Sequence, residues 1–325
     1  MTAECNPLMQ VENLHISFKT PDGLVPAVTG VSFAISPGES VALVGESGSG
    51  KSVTALSCLR LLPMPPAEVK ADVMSFNGID LLSGVSGIQK VRGNEVAMIF
   101  QEPMTSLNPL LTIGFQIAEA AAHHLGYSRK KAWAHAVEML ELAGIPDAAK
   151  RAKTYPHQMS GGMRQRVMIA IALVCSPKLL IADEPTTALD VTIQAQILKL
   201  TDDLQKKNGM ALLLITHNMG IVAQKTERVM VMYAGQIVES TATDNIFTQP
   251  AHPYTDGLLR SIPSAAKKVK RLNVIPGAVP SPMFYPKGCR FAPRCSFAKE
   301  KCAAEQPELR EISSNHLVRC HYPKV

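Results

Sequence analysis

Aromatic side chains are scarce in this chain, at 5% of residues with a single tryptophan, and charged residues make up only 18%. So few rings leave little to interleave with basic residues, which argues against a surface built to stack nucleic-acid bases. No tract is of low complexity, no apolar run reaches membrane-spanning length, and no secretory leader pattern is present. These absences point away from a spanning protein and toward the reducing cytosol, where disulfides do not persist. What is present is 325 residues at 46% hydrophobic, ample for a large core.

The apolar run Val41-Ala42-Leu43-Val44 leads into Gly45-Glu46-Ser47-Gly48-Ser49-Gly50-Lys51-Ser52, a fit to G-x-x-x-x-G-K-[ST] in the strand, loop and helix setting that motif needs. Its backbone amides are expected to wrap phosphates, Lys51 to reach the β- and γ-phosphates, and the Ser52 hydroxyl to ligate Mg2+. A flexible Gly/Ser turn would leave a lysine at the helix start unexplained. Downstream, Met159-Ser160-Gly161-Gly162-Met163-Arg164-Gln165-Arg166 reads as a second anion cradle. Two glycines admit backbone N–H groups close to a phosphate, and the serine hydroxyl and a helix N-terminus add donors.

Asp183 ends the strand-like run 179–183, where a carboxylate can hold Mg2+ through water, and Glu184 beside it is the expected general base for water attacking a γ-phosphorus. By themselves the two would pass for a solvated acidic pair at a strand end. His217 follows the apolar run 211–216, placed to contact the γ-phosphate or to hold Glu184 and its water. Gln101 follows Val96-Ala97-Met98-Ile99-Phe100. Singly, each is an ordinary polar residue at the end of a buried strand.

In chain order the glycine loop, Gln101, Ser-Gly-Gly, Asp-Glu, Ala188-Leu189-Asp190 and His217 resemble the ATP-binding cassette ATPases from end to end. The resemblance implies an α/β fold: a P-loop cassette with a RecA-like core, an antiparallel β subdomain, a helical subdomain and a C-terminal cysteine-rich extension. It implies ATP and Mg2+ as cofactors, with Ser52, Gln101 and Asp183 at the metal, catalytic roles for Glu184, His217 and Gln101, and Asp190 among the nucleotide-binding residues. It further implies ATP-driven dimerisation in which Ser160, Gly161 and Gly162 complete the partner's site in trans. Phe18 takes the position of the adenine-stacking aromatic, although the alternation Leu14, Ile16, Phe18 equally fits a one-faced core strand. The signature departs from the usual Leu-Ser-Gly-Gly-Gln: Met stands at 159 and 163, and Met163 cannot donate the hydrogen bond of a glutamine amide.

A narrower likeness runs through Phe100 to Pro109, Tyr155-Pro156-His157-Gln158, Ala182 to Gln196, Val231 to Gln236 and His252-Pro253-Tyr254-Thr255. These segments look like the ATPase subunits of dipeptide, oligopeptide and nickel importers, the dipeptide branch most of all. The likeness implies an ATPase that powers uptake of dipeptides or related small peptides from the cytoplasmic face of the inner membrane, to which it is bound peripherally. Its implied partners are a second, paralogous ATPase, two transmembrane permease subunits and, indirectly, an extracytoplasmic substrate-binding protein, with no nucleic acid. Oligopeptide, nickel and glutathione are alternative cargoes. A soluble cassette ATPase acting on nucleic acid or ribosomes is the alternative class, although such proteins commonly hold two cassettes in one chain.

Four of the seven cysteines, Cys289, Cys295, Cys302 and Cys320, crowd into the tail with spacing C-x5-C-x6-C-x17-C. Four thiolates could bind Zn2+ or a [4Fe–4S] cluster, and two disulfides are a third option that a reducing compartment disfavours. Close C-x-x-C pairs are lacking. Likeness to the dipeptide-importer ATPases implies the [4Fe–4S] cluster, with zinc as the alternative. Cys5, Cys58 and Cys175 read as small buried apolar residues. Residues 256–325 carry thirteen Lys/Arg against five Asp/Glu, whereas the remainder carries twenty against twenty-two. The charge of the tail suggests that Arg290, Arg294 and Arg319 offset a cluster's negative charge, face anionic lipid, or are simply solvated.

We expect a cassette domain over 1–262, with a helical insert at about 104–175 that receives coupling helices from the membrane subunits, and an extension over 263–325. Within the insert, Ser128 opens a helix to Leu142 that Gly144 stops, and Ala132, Ala136, Met139 and Leu140 form one packed face. Residues 263–286 read as a Pro-rich linker.

Overall fold

Inward-facing residues change parity along the first strand. In Met9–Thr20 (β1), Met9 and Val11 are buried, and then Leu14 and Ile16. The register with its partner slips between Val11 and Leu14, where Asn13 adopts φ 50°. One extra residue there keeps the same face on the core. Further irregularities follow at Leu14–Ile16 and Ile16–Ser17, and beyond them Phe18 is only half-buried, opposite Val25 and Ala67. The computed structural model describes residues 6–102, 106–185, 191–261 and 274–324, and they divide into two units.

The first unit comprises residues up to 35, 40–82 and 214 onward. Its N-terminal sheet joins β1 antiparallel to Gly23–Ile35 (β2). Ser40–Val44 (β3), buried at all five positions, runs into the phosphate loop and Lys51–Cys58 (α1). Ala67–Lys70 (β4) and Val73–Phe76 (β5) then return to β1, and Ile79–Asp80 (β6) pairs with β5.

The second unit comprises residues 36–39 and 83–213. Val85–Val91 (α2) precedes Val96–Ile99 (β7). Helices follow at Ile113–Leu125 (α3), Arg129–Leu142 (α4), Ala148–Arg151 (α5) and Gly161–Leu173 (α6). Ser128 caps α4 by accepting the Lys131 N–H, Gly144 turns the chain at φ 74°, and the buried residues of α4 are the four anticipated, Ala132, Ala136, Met139 and Leu140. Leu179–Asp183 (β8) lies parallel to β7, and all its side chains are buried, as a strand covered on both faces requires. Val191–Asn208 (α7) and Ala211–Ile215 (β9) lead back to the first unit.

There, Met219–Lys225 (α8) precedes Arg228–Tyr233 (β10), which is parallel to β3, and Gln236–Ala242 (β11), antiparallel to β10. Thr243–Thr248 (α9), Pro253–Arg260 (α10) and Glu300–Ala304 (α11) follow. Arg310–Ser313 (β12) pairs with His316–Val318 (β13), and β13 adds to the edge of β11. The described tail therefore belongs to the same packed unit as the phosphate loop. Phe291 anchors it, its ring within 6 Å of those of Tyr233, Tyr254 and His252. Removing such a ring costs about 3–5 kcal/mol.

Glu239 on β11 is fully buried and holds three segments at once: it accepts the N–H groups of Ala251 at 2.7 Å and His252 at 2.9 Å and meets Nε2 of His316 at 2.8 Å. His252 in turn caps α10, its Nδ1 accepting the Tyr254 N–H at 3.0 Å. Burial pushes this imidazole down to about 3, well below its usual 6.5. Between those values the unfolded chain binds a proton that the folded one refuses, so stability falls as pH drops through the window, by up to about 1.4 kcal/mol per pH unit. His252→Asn keeps an acceptor for the cap and should flatten the acid limb of urea stability against pH by about one proton's worth. An unchanged limb would show that His252 is not what the acid titrates.

Candidate functional site

The phosphate loop is shaped by close backbone approach. At Gly45, with φ 156°, a Cβ would lie 2.2 Å from the Met232 carbonyl oxygen, and at Gly50, with φ 103°, it would lie 2.8 Å from the Met232 methyl. Only glycine lets β10 and the loop come this near. Lys51 is buried, and its Nζ donates to the Gly45 and Glu46 carbonyls at 2.9 Å and to Ser49 Oγ at 3.4 Å. Ser47 and Gly48 are exposed at the loop tip and Ser52 is half-buried at the start of α1. A shallow cavity of about 420 Å³ brings Val44, Gly45 and Glu46 together with His217, Asn218, Met219, Leu258 and Ser261. His217 is exposed there, just before Asn218, whose Oδ1 accepts the Gly220 and Ile221 N–H groups and caps α8. Loop and histidine thus line one cavity, while Phe18 lies on β1 outside the residues lining it.

In the second unit, Asp183 is buried at the end of β8 and Glu184 follows with φ 47°. A left-handed glutamate is a sparsely populated conformation, held only where its surroundings impose it. Gln101, exposed after β7, donates from Nε2 to Glu184 Oε2 at 3.2 Å. Gln165 of α6, buried, donates to the Pro185 carbonyl, so the signature helix grips the residue after Glu184. Ser160 caps α6, its Oγ accepting the Met163 N–H at 3.4 Å, and Ser160 and Gly161 are exposed while Gly162 is half-buried. A Cβ at Gly161 would meet nothing within 4 Å, so this helix end is open to a ligand. Met159 is buried where leucine usually stands, a volume-conserving change, and Met163 is half-buried. Asp190 lies outside the described residues.

The tail cysteines require a correction. Cys289, Cys295, Cys302 and Cys320 do line one cavity, shared with Phe291, Phe297 and Tyr322. Yet among the described residues no group of three or more Cys, His, Asp or Glu is disposed to hold a metal ion, so the [4Fe–4S] expectation is overturned, and nothing supports zinc in its place. Burial raises the thiols of Cys289, Cys295 and Cys320, the last to about 11. Cys58 and Cys175 are buried, with thiols raised to about 12 and about 11, and behave as the small apolar residues anticipated, whereas Cys5 lies outside the described residues. The tail arginines turn inward. Arg290 and Arg294 are over 90% buried, and Arg319 donates from Nε to the Ile237 carbonyl at 3.0 Å and from Nη1 to that of Pro307 at 3.3 Å.

Sequence reasoning missed two residues at the loop. Tyr254 accepts the Glu46 N–H at 2.8 Å, and Arg294 grips the Glu46 carboxylate. The quoted His252-Pro253-Tyr254-Thr255 segment could have flagged the tyrosine, whereas for Arg294 a cluster, anionic lipid and solvent were the readings open, and none of them is a buried pair with the loop.

Comparison with known proteins gives the same picture. The family profile described as ABC transporter matches residues 28–187, and the one described as oligopeptide/dipeptide transporter, C-terminal region, matches 238–302. The oligopeptide transport ATP-binding protein AppD of Bacillus subtilis is 53% identical over 96% of each chain. A Brucella abortus chain named as a peptide import ATP-binding protein is 52% identical over 97% of this chain and 96% of its own. The first relative is named for oligopeptide transport and the second for peptide import. Among solved structures, the dimeric ATP-binding cassette MJ0796 with ADP and Pi aligns with a TM-score of 0.62 at 27% identity, covering 72% of this chain and 98% of that one. CbiO1 of Clostridium perfringens, part of an ABC transporter complex, aligns with a TM-score of 0.61 at 26% identity, covering 75% and 91%.

The glycine geometry is testable by itself. Gly45→Ala should lower unfolding free energy by about 2–4 kcal/mol, through clash and strained backbone, while Ser47→Ala at the exposed tip stays within about 0.5 kcal/mol of the parent. Equal, small effects in urea titrations would show that β10 does not constrain the loop.

Proposed function

The chain belongs to the ATP-binding cassette transporter family, among its peptide-import ATPases, and from that premise we propose how its residues hydrolyse ATP and with what they assemble. The protein is an ATPase that powers a membrane importer of small peptides. No helix among the described residues is long and apolar enough to cross a membrane, which suits attachment to permease subunits that do. The chain sits peripherally at the cytoplasmic face, assembled with a paralogous second ATPase and two transmembrane permeases, and indirectly with an extracytoplasmic binding protein. Dipeptides are the first cargo.

The loop fits a nucleotide: Gly45 and Gly50 leave no room for a Cβ, and Lys51 stands buried behind the loop's carbonyls. Ser52, Asp183 and Gln101 would hold Mg2+, which would supply charge neutralisation of the phosphates. Lys51 draws the β- and γ-phosphates into the loop. Glu184 takes the proton of the attacking water, and Gln101 orients its carboxylate. His217 contacts the γ-phosphate, Phe18 meets the adenine, and Ser160, Gly161 and Gly162 offer donors to the partner's nucleotide.

The observation that carries the hydrolytic reading is Glu184: a half-buried carboxylate in a left-handed conformation, hydrogen-bonded by Gln101, directly after the strand-end Asp183. Glu184→Gln should retain ATP affinity and lose turnover by at least about 100-fold, leaving a stable ATP-bound dimer in gel filtration. Undiminished phosphate release would remove Glu184 as the base. For the assembly, affinity purification from detergent-solubilised membranes should recover two polytopic subunits and a second ATPase. Recovery with nucleic acid instead would favour a soluble cassette ATPase.

A further inference from the structure

Glu46 is the first variable position of the phosphate loop, and every polar group it owns is engaged. Its N–H donates to Tyr254 Oη at 2.8 Å, its carbonyl accepts Lys51 Nζ at 2.9 Å, and its carboxylate takes a two-pronged pair from Arg294: Nη1 to Oε2 at 2.6 Å and Nη2 to Oε1 at 3.0 Å. The arginine is more fully committed still. Its Nε donates to the Pro276 carbonyl at 2.9 Å, Nη2 to that of Ile275 at 3.4 Å, and Nη1 to Tyr233 Oη at 3.4 Å. That uses all five guanidinium N–H donors on a side chain only 4% exposed. A buried arginine is tolerated when satisfied this completely, and the fork fits a carboxylate as lysine would not.

Arg290, four residues earlier, makes a second hold on the same loop. It donates from Nη1 to the Ala234 carbonyl and from Nη2 to Thr29 Oγ1 at 3.1 Å, with its guanidinium 3.9 Å from the centre of the Tyr285 ring. The turn it braces places Gly235 N–H on the Ser49 carbonyl at 2.9 Å. The tail thus reaches residue 46 directly and residue 49 through one turn.

A Gly/Ser-rich loop loses about 1–2 kcal/mol of conformational entropy per residue when it is ordered, and a ligand that orders it bears that loss as weaker binding. Contacts made beforehand remove the loss. We propose that Arg294 is a positioning residue for the nucleotide: through its pair with Glu46, the C-terminal extension pre-shapes the phosphate loop and sets the cassette's affinity for ATP. The proposal rests on the ATPase reading above and adds to it a role for the tail in the nucleotide site.

The test uses the purified full chain, a fluorescent ATP analogue, steady-state turnover and thermal unfolding without nucleotide. Arg294→Met should weaken nucleotide affinity about tenfold with kcat within about twofold of the parent, and Glu46→Gln should weaken affinity by a similar factor. The double variant should be no weaker than the worse single, as for two halves of one pair, and Arg294→Lys should fall between. Should Arg294→Met fail to fold, Glu46→Gln breaks the same pair from the loop side. Affinity within about twofold of the parent alongside a lowered melting temperature would reduce Arg294 to a tail anchor and overturn the proposal, as would fully additive losses in the double variant. A parent chain that binds no nucleotide would instead overturn the ATPase reading itself.

Discussion

A loop that cradles phosphate must leave backbone amides open to an anion, so it cannot satisfy them internally and takes its shape from its surroundings. Here those surroundings come from chain segments far away in sequence. The Met232 carbonyl and methyl crowd Gly45 and Gly50, Gly235 reaches Ser49, Tyr254 holds the Glu46 N–H, and Arg294 holds its carboxylate. Lys51 lies against the loop's own carbonyls, ready to turn to phosphate. The rest of the first unit can be read as the support for this arrangement.

That support explains the tail. Its excess of positive charge suggests an exposed surface for lipid or a cluster, but its arginines neutralise acceptors inside the fold. Arg294 is held strongly protonated by its bonds to Glu46 against the cost of burial. Phe291, Cys289 and Cys295 supply apolar packing around them, and Glu239 closes the edge by tying β11 to α10 and β13. A module with the look of a metal site in one dimension is a brace in three.

The second unit concentrates its chemistry at the end of β8. The left-handed backbone at Glu184 is sustained from two sides, by Gln101 on the carboxylate and by Gln165 of the signature helix on the carbonyl of Pro185. The exposed cap at Ser160 and the open space over Gly161 leave the other end of that helix available.

Much of this was legible in one dimension because it is local. Glycine spacing before Lys51, the Ser128 cap, the packed face of α4 and the fully apolar runs at 41–44 and 179–182 follow from steric rules that act within a turn or a strand. The parity change at Asn13 and the irregularity at Ile16–Ser17, beyond which Phe18 is half-buried, were hidden because a bulge depends on the partner strand. The destination of Arg294 was hidden as well, since a charge 248 residues from its partner carries no signal of pairing. The sequence alone therefore determined the phosphate-binding chemistry and the family, because motifs are short-range. Only the tertiary structure decided which residues brace the loop and what the cysteines do, because burial and distance are properties of the folded chain.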